Sequence, residues 1–338
     1  MSKNSKRALI VSGLIAIIIM AVFYFRYQVY FSHGSATGEK IFEIAKGEGN
    51  AEISTRLAEE GLVSNRIYFY YYLRTHGFLN RIIPGDYKLA GTMTIPEIAN
   101  AIANPKETFI RVTFPEGVTA VEMGDILEKR GLEKDEFLSL VAQPDNFRDK
   151  YPFLNDPKIK TLEGFLFPDT YYFKKENTGE QIVNKILVNF GSHLTDQMES
   201  DAQKQGKSLY DEIVLASIVE KEVVTPSDMK MVAGVFLNRL DSGMPIQSDA
   251  TLTYILNDNT DQHSIEQLKS DSPYNSYRFK GLPPGPISNP GLNAISAAIY
   301  PEISDYNYFL TVTVDGAKKT IFSKTFEEHV ANRKKYGL

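Results

Sequence analysis

FEIAKGEGNAEISTRLAEEGL, Phe42 to Leu62, and VTFPEGVTAVEMGDILEKRGL, Val112 to Leu132, are two versions of one pattern. Gly47, Glu52, Leu57, Gly61 and Leu62 of the first recur as Gly117, Glu122, Leu127, Gly131 and Leu132 of the second. Each copy opens on a short strand-like run and passes through a turn built on Lys-Gly or Pro-Glu-Gly. It continues with helical spacing of apolar residues and stops at a glycine where a left-handed C-cap is wanted. A strand–helix unit used twice assigns the chain to the α+β class.

Between the copies the pattern predicts a helix from Ile67 to Thr75 and a strand from Ile83 to Leu89 containing PGDYKL. A second helix should start at Thr94 or Ile95, where TIPEI supplies an N-cap and an early proline. Residues 41–108 therefore form a small α+β module, and residues 109–338 a larger α+β domain. The larger domain mixes helices at Glu180–Phe190, Leu209–Val223 and Met229–Leu240 with strands such as Phe309–Val314. Periodicity alone does not choose between a spacer and a binding role for the small module.

Upstream, Ala8 to Phe25 reads ALIVSGLIAIIIMAVFYF, an uncharged run that as a helix spans roughly 27 Å, close to a bilayer's hydrocarbon thickness. Lys3, Lys6 and Arg7 precede it and only Arg26 follows closely, so residues 1–7 are expected to stay cytoplasmic and the body to be exported. The run is longer than a usual signal-peptide core and no Ala-x-Ala site follows closely, which favours an anchor over a cleaved leader. Residues 26–40, ending SHGSATGEK, read as a polar linker.

Composition narrows the function classes. A hydrophobic fraction of 43% and a charged fraction of 23% are those of a globular body. A net charge of -5 without a basic block argues against nucleic acid as a partner. The five histidines are scattered and cysteine is absent, so neither a metal site nor a disulfide is expected; no glycine-rich phosphate loop follows an apolar strand, so no nucleotide or other cofactor is expected either.

The residue with the strongest chemical signal lies in LYDEIVLASIVEKEVV, Leu209 to Val224. At 100° per residue, Leu209, Ile213, Ala216, Glu220 and Val223 share a stripe, so a carboxyl occupies a core-facing position. Taking a carboxylate out of water raises its pKa, and a carboxyl protonated near neutral pH can protonate a leaving-group oxygen. The commoner fate of such a residue is an ion pair or a loop cap, and the pattern alone favours that. Glu222 shares its direction with Leu215 and Ile218, so the wheel ranks it only slightly below Glu220. Ser217 and Lys221 stand four apart, which is the wrong spacing for an S-x-x-K nucleophile. Downstream, Met244–Tyr254 and Ser272–Gly291 are dense in Pro, Gly, Asn and Tyr, a composition that suits either a turn-rich linker or rigid sugar-binding loops.

Taken together, LEGFLFPDTY (Leu162–Tyr171), LASIVEKE (Leu215–Glu222), VFLNRL (Val235–Leu240), IQSDATLTY (Ile246–Tyr254), PYNSY (Pro273–Tyr277) and GLPPGPISNPG (Gly281–Gly291) resemble the YceG-like endolytic murein transglycosylases. The likeness runs from the anchor through a LysM-like module at 41–108 to a catalytic domain at 109–338. It implies a lytic transglycosylase of the cell membrane that cuts the MurNAc–GlcNAc bond of nascent peptidoglycan and leaves 1,6-anhydroMurNAc ends. It further implies peptidoglycan synthesis proteins as partners, Glu220 as the catalytic acid/base, and Gln247, Ser248, Asp249, Tyr274 and Asn275 as cleft residues. Two alternatives stand beside it: an inactive wall-binding scaffold, and a muramidase-type hydrolase in which Asp249 activates water.

Overall fold

The computed structural model describes residues 3–104, 109–257, 263–314 and 316–337. Two compact units make up the chain: residues 1–111 with 172–175, and residues 112–171 with 176–338. The boundary expected at 108 lies outside the described residues, and the observed division falls three positions later, after Arg111.

The first unit opens with the long helix α1 (Lys3–Tyr30). Residues 12–30 of it are long and apolar enough to cross a membrane. The strand β1 (Glu39–Ile44) follows, then α2 (Asn50–Glu59) and α3 (Arg66–Thr75). The unit continues with β2 (Gly85–Ala90), α4 (Ile95–Ala103) and the start of β3 (Phe109–Thr113). β1 and β2 pair antiparallel from Glu39 opposite Ala90 to Ile44 opposite Gly85. In β1, Phe42 and Ile44 turn inward and the glutamates outward, as period-two alternation requires. β2 begins at Gly85 rather than Ile83 because Pro84 cannot donate to a ladder. The core gathers Phe42, Leu57, Phe69, Leu73, Leu89 and Ile98, all fully buried.

Two expectations for the N-terminal segment change. The helix continues through residues 26–30, and Val29, 1% exposed, belongs to the first unit's core. Residues beyond it are pinned: the Gly34 N–H donates to the Gly91 carbonyl at 3.2 Å and the Ala36 N–H to the Gly61 carbonyl at 2.9 Å. A Cβ on Gly34 would fall 2.5 Å from the Gly91 Cα, so the small residues that suggest a loose linker serve a close backbone approach instead.

The second unit carries the other copy of the strand–helix pattern, from β3 into α5 (Ala120–Lys129). The two copies share their glycine turns and differ at the helix start, where Gly49 makes no side-chain cap for α2 and Thr119 does for α5. Gly47 and Gly117 have φ of 87° and 74° in the turn, and Gly61 and Gly131 have φ of 72° and 76° after the helix. Thr119 and Glu122 close a capping box at the start of α5. Next come α6 (Lys134–Val141), the start of β4 (Thr170–Lys174), whose residues 172–174 belong to the first unit, then α7 (Gly179–His193) and α8 (Asp196–Lys204). They lead to α9 (Leu209–Glu222), α10 (Pro226–Asp241), α11 (Asp249–Leu256) and α12 (Leu292–Ile299). The unit ends in the hairpin β5 (Tyr308–Val314) and β6 (Ala317–Ser323) with α13 (Phe326–Tyr336) packed on it.

α9 is the axis of this unit and packs on α10 and α12. Tyr210 and every residue from Glu212 to Val219 are buried, so no single stripe faces the core. A helix buried all round is a core element, and its charged C-terminal turn emerges where the packing stops.

Candidate active site

That last turn carries Glu220, Lys221 and Glu222 in succession. Two loops flank it. One is the Pro115–Thr119 turn of the second pattern copy, and the other is the Pro286–Gly291 segment before α12. The loops are joined by the Gly117 N–H donating to the Asn289 carbonyl and the Asn289 N–H donating to the Val118 carbonyl, both at 2.9 Å. The second loop is fastened to α9 as well: Ser217 Oγ accepts the Ile287 N–H at 3.0 Å, and Ser288 Oγ donates to the Ser217 carbonyl at 3.0 Å.

Glu220 sits half-buried between these loops and its Oε2 accepts the Gly291 N–H at 3.0 Å. A Cβ on Gly117 would meet the Glu220 Cγ at 3.3 Å, so the turn that glycine permits also gives the side chain its room. Burial pushes the Glu220 carboxyl up to about 7, against the pull of the Gly291 amide; the charge of Glu116 adds to the rise and Lys221 opposes it. Glu116 is close because it fills the space beside Gly291, where a Cβ would lie 1.9 Å from its Oε1. Lys221 Nζ donates to the Gly117 carbonyl at 3.2 Å.

Glu222 leaves the same turn in another direction. Its Oε1 accepts the Ser248 hydroxyl at 2.5 Å, and burial raises its carboxyl to about 7, with Asp249 adding to the rise. A third carboxyl, Glu163, is 7% exposed and is also raised to about 7 by burial. Both of its oxygens lie 3.0 Å from the Ala120 N–H, and Oε1 accepts from Asn289 Nδ2 at 2.7 Å. Asn289 Oδ1 in turn accepts the N–H groups of Gly164 and Leu166 at 2.8 and 3.1 Å. A groove of about 450 Å³ runs past this cluster, lined by Thr119, Glu163, Lys221, Tyr254, Tyr274 and Ile287 among others.

Residues 42–335 match the model of the YceG-like family. The chain belongs to that family. The endolytic murein transglycosylase of Bacillus subtilis is 28% identical over 304 residues, covering 87% of this chain and 83% of the relative. The endolytic murein transglycosylase of Streptococcus pneumoniae strain D39 is 29% identical across 96% of this chain, which spans 64% of that longer protein. A crystal structure assigned as YceG-like, from Listeria monocytogenes, is 33% identical and matches with a TM-score of 0.62, covering 87% of this chain and 98% of that one.

Within this YceG-like chain the cleft residues expected from sequence take three different placements. Tyr274 lines the groove with Lys221 and Glu163, and its ring lies 5.2 Å from that of Tyr254. Gln247, Ser248 and Asp249 gather on the Glu222 side instead. Gln247 is exposed with φ of 56°, the left-handed region a non-glycine residue seldom enters, and its N–H donates to the Ser276 carbonyl at 3.1 Å. Ser248 is 2% exposed and spends its hydroxyl on Glu222. Asp249 accepts the Tyr277 hydroxyl at 2.6 Å. Asn275 is fully enclosed, its amide donating to the Leu268 and Ser270 carbonyls at 3.0 and 2.8 Å, so its side chain braces the loop rather than facing the groove.

Sequence reasoning passed over Glu163, Asn289 and Glu116. The first two lie inside the motifs LEGFLFPDTY and GLPPGPISNPG, and a lone glutamate in the largely apolar run Leu162–Phe167 is the sign that sequence offers. Glu116 stands in the Pro-Glu-Gly turn, where exposure is the ordinary expectation and no spacing links it to Glu220.

Proposed function

We propose that this YceG-like chain is a membrane-anchored endolytic murein transglycosylase with Glu220 as its acid/base. The observation that carries the proposal is the Glu220 carboxyl itself, raised to about 7 by burial yet accepting a fixed backbone N–H, and adjacent in the chain to Lys221, which lines the groove. A carboxyl in that state holds a proton at neutral pH and, once it has given the proton up, is stabilised as an anion by the same amide. The relatives' names supply the substrate class.

In the proposed reaction Glu220 protonates the oxygen joining MurNAc to GlcNAc, and the C1–O bond breaks. The MurNAc 6-hydroxyl then bonds to its own C1 while its proton passes to the Glu220 carboxylate. The acid is regenerated, no water is consumed, and the new end is 1,6-anhydroMurNAc. Tyr254 and Tyr274 offer aromatic faces to the sugar rings, and Lys221 a donor to their hydroxyls. The helix spanning residues 12–30 supports an inner or cytoplasmic membrane anchor with the body outside, where such cuts would end strand elongation beside peptidoglycan synthesis proteins. The strand–helix–helix–strand order of β1, α2, α3 and β2 supports the LysM-like reading of the first unit.

A hydrolytic reading has one specific observation in its favour. Hydrolysis needs a second carboxylate, and Glu116 is the neighbouring acid whose charge acts on Glu220. Asp249 is directed at Tyr277 and acts on Glu222, so it is the weaker partner. Digestion of purified glycan strands by the full chain in detergent, with mass spectrometry of the products before and after borohydride, decides the matter. Ends one water lighter and resistant to reduction are expected. Reducible ends would replace the transglycosylase with a hydrolase, and intact strands would leave a wall-binding scaffold.

A further inference from the structure

The outward face of α3 has a composition that water does not favour. Arg66, Ile67, Tyr70, Tyr71 and Arg74 share one exposed stripe, while Phe69, Tyr72 and Leu73 fill the core behind it. Ile67 is 62% exposed and Tyr71 50%. With Ala51 and Ser54 of α2, the stripe borders an open groove of about 340 Å³. Rings with a polar tip, an exposed isoleucine and flanking arginines are what a membrane interface selects: the rings sit at headgroup level and the guanidinium groups reach the phosphates.

The position of the stripe identifies its partner. Phe25 meets Tyr68 and Tyr71 edge-on, with ring centroids 5.5 and 5.0 Å apart. Ser64 Oγ donates to Gln28 Oε1 at 3.0 Å, and Tyr30 stands 6.4 Å from Tyr72. All three α1 residues belong to the apolar span of residues 12–30. Phe25 lies about 7 Å along the axis before that span ends. A helix whose rings touch Phe25 is therefore held at the level where the span leaves the hydrocarbon. Tyr24, Tyr27, Tyr30 and Phe31, all exposed, lie at the same end of α1.

We propose that the exposed face of α3 lies in the lipid headgroup layer, with anionic lipid favoured by Arg66 and Arg74, so that the first unit rests on the bilayer. The proposal deepens the membrane-anchored reading above and depends on it.

The chain has no cysteine, so single cysteines introduced into the full protein can carry a spin label without background. In vesicles of phosphatidylcholine and phosphatidylglycerol, labels at Ile18→Cys, Ile67→Cys and Lys88→Cys would be compared for collision with oxygen, which enters lipid, and with a nickel chelate, which stays in water. Position 18 should favour oxygen strongly, 67 should favour it several-fold over 88, and 88 should favour the chelate. Introducing Arg66→Glu and Arg74→Glu together should move 67 towards the chelate while 18 stays unchanged. A label at 67 as accessible to the chelate as 88, with 18 still in lipid, overturns the proposal and spares the anchor. A label at 18 in water removes the anchor and the proposal together. Shielding of 67 by added glycan strands, indifferent to lipid composition, would assign the face to sugar and also overturn it.

Discussion

Glu220 and Glu222 stand two residues apart on α9, yet one carboxyl meets the Gly291 amide and the other the Ser248 hydroxyl, at 3.0 and 2.5 Å. Burial raises both to about 7, so acidity does not tell them apart and surroundings must. Glu220→Gln should lower strand cleavage by about 10²–10⁴-fold, the usual value of a general acid, with glycan binding retained. Glu222→Gln can still accept from Ser248 and should keep most activity. Equal losses in a turnover assay would assign the chemistry to the pair and not to Glu220.

Because Glu220 must begin protonated, cleavage should fall as pH rises through about 7. Glu116 helps to raise that value and Lys221 opposes it. Glu116→Gln should therefore move the alkaline limb to lower pH, and Lys221→Met should move it higher, each by less than about one unit at these partly solvated positions. Profiles of kcat/KM against pH measure both shifts, and movement in the same direction would remove Glu220 as the titrating group.

Glu163 gives a stability prediction. Its folded-state value of about 7 lies above the ordinary 4.5, so its contribution is fully present below about 4.5 and is lost as pH rises through 7. Denaturant unfolding should show stability declining across that window, with Glu220 and Glu222 contributing in the same sense. Glu163→Gln should flatten the decline. An unchanged slope would mean that the three donor contacts from Ala120 and Asn289 keep the carboxyl ionised.

Gly164 makes the turn that delivers Glu163. Its φ is 88°, and a Cβ would fall 2.5 Å from the Pro286 Cγ and 2.9 Å from the Ile213 Cγ2. A proline ring braced by neighbours yields little, so Gly164→Ala should cost about 2–3 kcal/mol through backbone strain and crowding. A loss below about 1 kcal/mol in equilibrium unfolding would show that the Pro286 loop moves freely.

The fold was legible in the sequence where local rules acted alone. The repeated glycines at 47, 61, 117 and 131 all take left-handed backbone, and Thr94 caps α4. The site was legible only in part. The stripe that singles out Glu220 dissolves in a helix buried on every side, because tertiary packing rather than amphipathicity encloses α9. Asn289, Glu163 and Glu116 reach the site across more than fifty residues of chain each, through hydrogen bonds and close contacts that no spacing encodes. The linker at 26–40 failed for a related reason. Its composition describes chain flexibility in isolation, whereas Val29, Gly34 and Ala36 are fixed by partners elsewhere.

That continuity between α1 and the first unit limits how the protein can be rebuilt. An anchor joined by slack chain is exchangeable, and any apolar helix would replace it. Here a transplanted helix that kept length and hydropathy but not Phe25 and Val29 would leave a vacancy in the first unit's core and strip Tyr68 and Tyr71 of a ring neighbour. The last two turns of α1 and the surface that receives them form a single heritable part, and chimeras should be cut before Tyr24 rather than at the end of the apolar run.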